Sequence, residues 1–150
     1  MTQVIVVYAS MTGNTEEMAE AVAAGLREAG VEPVLVSVLD AHAAKLQNYD
    51  GFLLGAYTWG DGDLPDEFLD FYEELDEVDL QGMKGAVFGS ADSSYRHYGA
   101  AIRILEEKIT ERGAVKALEG LKIELSPSPD DLELCKAFGT SFAAQVAVTN

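Results

Sequence analysis

The feature that most constrains the fold is a series of short, wholly apolar runs separated by amphipathic stretches. Val4-Ile5-Val6-Val7 and Phe52-Leu53-Leu54 contain no polar residue, as expected of strands buried on both faces of a sheet. Strand-like runs recur at 4–8, 33–38, 51–56, 85–89 and 121–125. Helical spacing fills the gaps. Met18, Val22 and Leu26 stripe a helix over 15–29, stopped by Gly30. Asp40 is placed to cap a short helix ending near Leu46, and Phe68, Phe71 and Leu75 mark a third after Pro65. Ile102, Leu105 and Ile109 mark a fourth, stopped by Gly113. Leu132, Cys135, Phe138, Phe142 and Val146 mark a fifth after the Pro127/Pro129 turn. Strands alternating with helices pair in parallel, because a parallel pair needs a crossover. Right-handed crossovers on both faces predict a three-layer α/β/α sandwich around a five-stranded parallel sheet, with 1–150 as one domain.

In such a sheet ligands sit beyond the carboxyl ends of the strands, where strand order reverses. The turn Tyr8-Ala9-Ser10-Met11-Thr12-Gly13-Asn14-Thr15 lies there, between the first strand and the first helix. It gathers hydroxyls at Ser10, Thr12 and Thr15 and the amide of Asn14, beside the free N–H groups of a helix start. That is a phosphate site; a helix cap with no ligand is the plain alternative. No Lys or Arg precedes Arg27, so the turn is neither a GxxxxGK[ST] loop nor, lacking GxGxxG, a dinucleotide loop. Any phosphate held here keeps its charge.

The loops after the third and fourth strands also reach this edge. One reads Ala56-Tyr57-Thr58-Trp59-Gly60-Asp61-Gly62-Asp63-Leu64-Pro65, the other Gly89-Ser90-Ala91-Asp92-Ser93-Ser94-Tyr95-Arg96-His97-Tyr98. Each puts an aromatic ring where loops are normally polar. Two rings over a phosphate turn suit a flat phosphorylated ligand, although either ring alone packs a core just as readily.

Charge narrows the class of partner. The formal net charge is −16, which repels nucleic acid and favours basic proteins. Residues 1–92 hold 18 acids and 3 bases, whereas 93–150 hold 8 acids and 7 bases. Ten acids lie between Asp61 and Asp79, and no Lys or Arg occurs between Lys45 and Lys84. The single cysteine, Cys135, excludes an internal disulfide framework or a cysteine-based zinc site and reads as helix packing. No apolar run has membrane-spanning length and no basic leader is seen, so a cytoplasmic protein is expected. His42 reads as a surface residue.

The set Ser10-Met11-Thr12-Gly13-Asn14-Thr15, Thr58-Trp59-Gly60-Asp61 and Gly89-Ser90-Ala91-Asp92-Ser93-Ser94-Tyr95 resembles the flavodoxins, in order and spacing, over essentially the whole chain. With no long insertion before the final helix, it is similar to the short-chain type. The resemblance implies the strand order 2-1-3-4-5 and non-covalently bound FMN. Ser10 to Thr15 would bind the FMN phosphate. Trp59 would cover one face of the isoalloxazine and Tyr95 the other. Thr58 and Asp92, with the nearby backbone of Ser90 and Ala91, would meet the pyrimidine edge. Tyr98 is placed to pack either near the cofactor or only against the fourth helix. Ala91 stands where many relatives carry glycine. In the family the Gly60 peptide flips so that its carbonyl accepts a hydrogen bond from the one-electron-reduced ring, worth about 1 kcal/mol. The function implied is low-potential electron transfer, one electron at a time, between semiquinone and hydroquinone. No enzyme activity is expected. One acidic charge at about 10 Å opposes the anionic hydroquinone by roughly 0.4–1.7 kcal/mol, or roughly 20–70 mV. The implied partners are basic redox proteins such as a ferredoxin/flavodoxin–NADP reductase, met by a monomer.

Other uses of the fold are weaker. A receiver domain needs acids after the first strand, where Tyr8-Ala9-Ser10 stands, and a Lys after the fifth, where Ser126-Pro127 stands. A small phosphatase needs Cys and Arg in the first turn, and neither is there. The stronger rival is an NAD(P)H-dependent FMN quinone reductase, which needs a substrate pocket that a stacked Tyr95 would block.

Overall fold

The computed structural model describes residues 2–10, 13–57, 64–91, 100–124 and 126–148, with the side chains of 91, 147 and 148 left aside. In chain order the elements are β1 (Gln3–Tyr8), α1 (Asn14–Glu28), β2 (Glu32–Ser37), β3 (Gly51–Tyr57), α2 (Leu69–Glu74), β4 (Lys84–Ala91), α3 (Ala100–Glu111), β5 (Val115–Lys116), β6 (Leu121–Glu124) and α4 (Pro129–Val148). All described pairings are parallel. The sheet runs β2-β1-β3-β4-β5, with β6 also on β4. The expected order therefore holds, with one difference. The edge position is shared by two short strands, β5 beside Lys84–Gly85 and β6 beside Phe88–Ala91. A broken edge offers little backbone to a stray partner strand.

Period-two alternation divides the core in two. Ile5, Val7, Phe52, Leu54 and Val87 face Phe68, Phe71, Leu75, Ile102, Leu105 and Ile109. Val4, Val6, Leu53, Ala86 and Phe88 face Met18, Val22, Leu26, Cys135, Phe138 and Phe142. Two cross-strand pairs between β3 and β4 couple a phenylalanine to a glycine: Phe52 opposite Gly85, and Gly55 opposite Phe88. A Cβ on Gly85 would lie 2.4 Å from the Phe52 ring, and one on Gly55 2.5 Å from the Phe88 ring. The missing side chains are the space these rings occupy.

Gly30, at φ 84°, ends α1 in the left-handed region. Its N–H donates to the Arg27 carbonyl and that of Val31 to the Leu26 carbonyl, the paired bonds of a Schellman stop. Gly113 ends α3 in the same way. The entry to α4 is a capping box. Ser128 Oγ accepts from the Asp131 N–H at 3.1 Å, and Asp131 Oδ2 accepts from the Ser128 N–H at 2.9 Å.

The segment after β2 differs from expectation. Asp40 caps no helix; it ends a 3₁₀ turn, Val38–Asp40, whose Leu39 N–H donates to Ser37 Oγ. A second 3₁₀ turn, Ala43–Asn48, takes its cap from elsewhere, Glu74 Oε1 accepting from the Ala43 N–H at 2.9 Å. The third helix is short. Only Leu69–Glu74 is α-helical, between 3₁₀ turns Asp66–Phe68 and Leu75–Glu77. Eight acids and no base from Asp66 to Asp79 put like charges at helical i,i+3 and i,i+4 spacings, which disfavours a longer regular helix. Among the described residues no helix is long and apolar enough to cross a membrane.

Candidate functional site

β1, β3 and β4 end at the same edge of the sheet, with Tyr8 beside Gly55 and Tyr57 beside Ser90. The turn from β1 into α1 opens there. Gly13 occupies the N-cap position at φ 90° and ψ −9°, a left-handed conformation costing another residue about 1–2 kcal/mol. A Cβ on Gly13 would meet nothing within 4 Å, so backbone conformation, not crowding, asks for glycine.

Ser10 Oγ accepts the Gly13 N–H at 3.0 Å and the Glu16 N–H at 3.2 Å. A hydroxyl oxygen has two lone pairs and one proton. With both lone pairs engaged, Ser10 is left to donate. The N–H groups of Asn14 and Thr15 belong to the first turn of α1 and have no intrahelical acceptor. Thr15 is 1% exposed, and its Oγ1 lies 3.1 Å from Ser90 Oγ. The turn therefore presents neutral donors, and the side chains in its first turn that do carry charge are acidic, Glu16 and Glu17. This set suits a phosphate ester held by hydrogen bonds and by the helix dipole. Among the described residues no cluster of three or more His, Cys, Asp or Glu could hold a metal.

Two tyrosines at the strand ends escaped assignment from the sequence. The Tyr8 hydroxyl donates to Glu16 Oε2 at 3.2 Å, tying the end of β1 to α1. The Tyr57 hydroxyl donates to Glu67 Oε1 at 3.0 Å, tying the end of β3 to the turn before α2. Burial, then the bond to Glu67, pushes the Tyr57 phenol up to about 12. Burial and Glu16 raise Tyr8 as well. Both stay neutral donors across the physiological range. The signal was a Tyr closing each strand with a Glu beyond the following loop, and that pairing is not at any regular spacing.

Of the residues expected to bind the ligand, Ser10, Gly13, Asn14, Thr15 and Ser90 are brought to this edge, as is the backbone of Ala91, paired with Glu124. Met11, Thr12, Thr58, Trp59, Gly60, Asp61, Asp92, Tyr95 and Tyr98 lie outside the described residues, as does His97. His42 is exposed, 3.5 Å from Glu74. Cys135 is fully buried in the α1–α4 layer, as its helical spacing implied.

Comparison with known proteins agrees with this geometry. The flavodoxin family model matches residues 6–139. The chain is 45% identical over 144 residues to probable flavodoxin 2 of Bacillus subtilis, covering 95% of each. Its fold matches that of oxidised flavodoxin 1 from Bacillus cereus with a TM-score of 0.92 at 52% identity, covering 95% of this chain and 98% of that one. A short-chain flavodoxin associated with a PDU bacterial microcompartment matches with a TM-score of 0.92 at 31% identity, over 97% and 99% of the two chains. With the strand order, the donor turn at the switch point and this likeness over nearly its full length, the chain belongs to the flavodoxin family, in its short-chain form.

Proposed function

We propose that residues 1–150 act as one FMN-binding domain that passes single electrons at low potential between basic protein partners. As a flavodoxin, the chain is an FMN-binding electron carrier and not an enzyme. FMN, when bound, supplies the one-electron chemistry. The observation that carries the rest is the donor turn at the start of α1, with Ser10 left only a proton to offer and no base before Arg27.

The chain's own residues then divide the work. Ser10, Gly13, Asn14 and Thr15, with Met11 and Thr12, hold the phosphate without neutralising it. Trp59 and Tyr95 cover the ring and keep water from it, Thr58, Asp92, Ala91 and Tyr98 border it, and Gly60 supplies a peptide whose orientation can change at little cost. Uncancelled phosphate and the acids from Asp61 to Asp79 make added negative charge unfavourable. The same acids draw in partners with basic faces, a ferredoxin/flavodoxin–NADP reductase being the type expected. The protein works as a monomer in the cytoplasm.

Titration of the purified protein with FMN tests this directly. One FMN bound per chain, with its fluorescence quenched, is the expected result. A protein that takes up no FMN returns the turn to a plain helix cap. Steady NAD(P)H oxidation without an added reductase would make it a quinone reductase instead.

A further inference from the structure

Thr15 and Ser90 stand 75 residues apart in sequence, and their hydroxyls meet at 3.1 Å. They are 1% and 6% exposed. Ser90 lies on β4, between Tyr57 of β3 and Ile123 of β6. By strand alternation it shares the face of Phe88, turned to the α1–α4 layer. Its side chain is thus directed at the helix that holds the phosphate turn.

Two hydroxyls in contact use one proton between them. One donates, and the acceptor's own proton is left for a third oxygen. If Thr15 donates to Ser90, only Thr15 lone pairs remain for a phosphate, and those repel it. If Ser90 donates, the Thr15 proton is free for the anion, and each bond polarises the next. We propose, on the phosphate reading above, that Ser90 is a positioning residue: its hydroxyl donates to Thr15 Oγ1 and so turns the Thr15 proton toward the FMN phosphate. Ser10 is arranged by the same logic, its lone pairs engaged by the N–H groups of Gly13 and Glu16. Backbone donors orient one hydroxyl of the turn, and a buried serine from the neighbouring strand orients the other.

The test compares FMN with riboflavin, which lacks the phosphate, as ligands of the wild type, Ser90→Ala, Thr15→Val and the double variant. Ser90→Ala should raise the Kd for FMN about fivefold, about 1 kcal/mol for one directed hydrogen bond. Its Kd for riboflavin should stay within about twofold of wild type. Thr15→Val should weaken FMN binding at least as much, and adding Ser90→Ala to it should cost less than about twofold more, because the two groups act as one unit. Equal loss of FMN and riboflavin affinity in Ser90→Ala would mean that Ser90 supports the fold or the ring, and would overturn the proposal. So would additive losses in the double variant. Wild-type protein that binds FMN no more tightly than riboflavin would overturn the phosphate reading itself, and the relay with it.

Discussion

The two helical layers flanking the sheet bury their residues by different means. On one side α1 and α4 pack backbone to backbone. A Cβ on Gly25 would lie 2.0 Å from the Lys136 carbonyl oxygen, and one on Gly139 2.1 Å from that of Val22. The single Thr140 hydroxyl proton is shared between the Lys136 carbonyl of its own helix at 3.1 Å and the Gly25 carbonyl of α1 at 3.3 Å. On the other side α2 is one short stretch between 3₁₀ turns, loaded with acids. That layer is tied to α3 by a cation. Lys108 is 8% exposed, donates to Asp76 Oδ1 at 2.5 Å and sits 4.5 Å above the Tyr72 ring. Arg112 Nε adds a bond to the Val78 carbonyl at 3.0 Å. The α1–α4 layer is held along its length by its close backbone packing, with the donor turn confined to the first turn of α1. The α2–α3 layer includes the eight acids from Asp66 to Asp79, and a nearly buried lysine holds that segment against α3.

The largest effect should come from filling the glycine contact. Gly25→Ala or Gly139→Ala must push two helices apart and should cost about 3 kcal/mol, read as a lower urea midpoint with unchanged slope. A loss near zero would mean the layers differ less than the contacts imply. Lys108→Met, which keeps the packing and removes the tie, should cost about 1 kcal/mol, because Asp76 is 53% exposed and water can replace the lysine. The bond to Asp76 raises the Lys108 pKa. Its stabilisation is therefore complete below the ordinary lysine range and fades as pH rises through the folded-state value. The variant should lose that alkaline slope, measurable as stability against pH.

A smaller effect of opposite sign is expected at Glu106, whose side chain is 14% exposed and whose Oε2 has no hydrogen-bond partner among the described residues. Burial raises its pKa, and Lys116, 3.9 Å away, offsets this only in part. A raised carboxyl gives stability at acid pH that is lost as pH rises through its folded-state value. Glu106→Gln should leave stability unchanged below the carboxylate range and raise it by under about 1 kcal/mol at neutral pH. The gentlest probe changes no residue. Burial pushes the Cys135 thiol up to about 12, so an alkylating reagent at pH 8 should label it only when the α1–α4 layer opens. Rapid labelling of native protein would show that layer to be the looser of the two.

What could be read in advance follows the range of the interaction. The donor turn was legible because Ser10, Gly13, Asn14 and Thr15 are neighbours in sequence and each has a local reason to be there. The sheet order came with the family likeness, and parallel pairing came from apolar runs such as Val4-Ile5-Val6-Val7. Gly25 and Gly139 were not legible, since a glycine inside a helix reads as a weak point until its neighbour across the interface is known. Asp40 fails as the expected cap because the turn Ala43–Asn48 takes its cap from Glu74, 31 residues beyond Ala43. The Thr15–Ser90 pair and the Tyr57–Glu67 bond join separate elements at no regular spacing, so only coordinates reveal them.

The central claim is that this edge of the sheet makes the chain a one-electron FMN carrier. Visible spectra of the FMN-loaded protein during stepwise anaerobic reduction test it most directly. The account predicts a yellow protein that turns blue before it bleaches, as single electrons are accepted in two separated steps. Direct bleaching from yellow, with no blue stage, would contradict it.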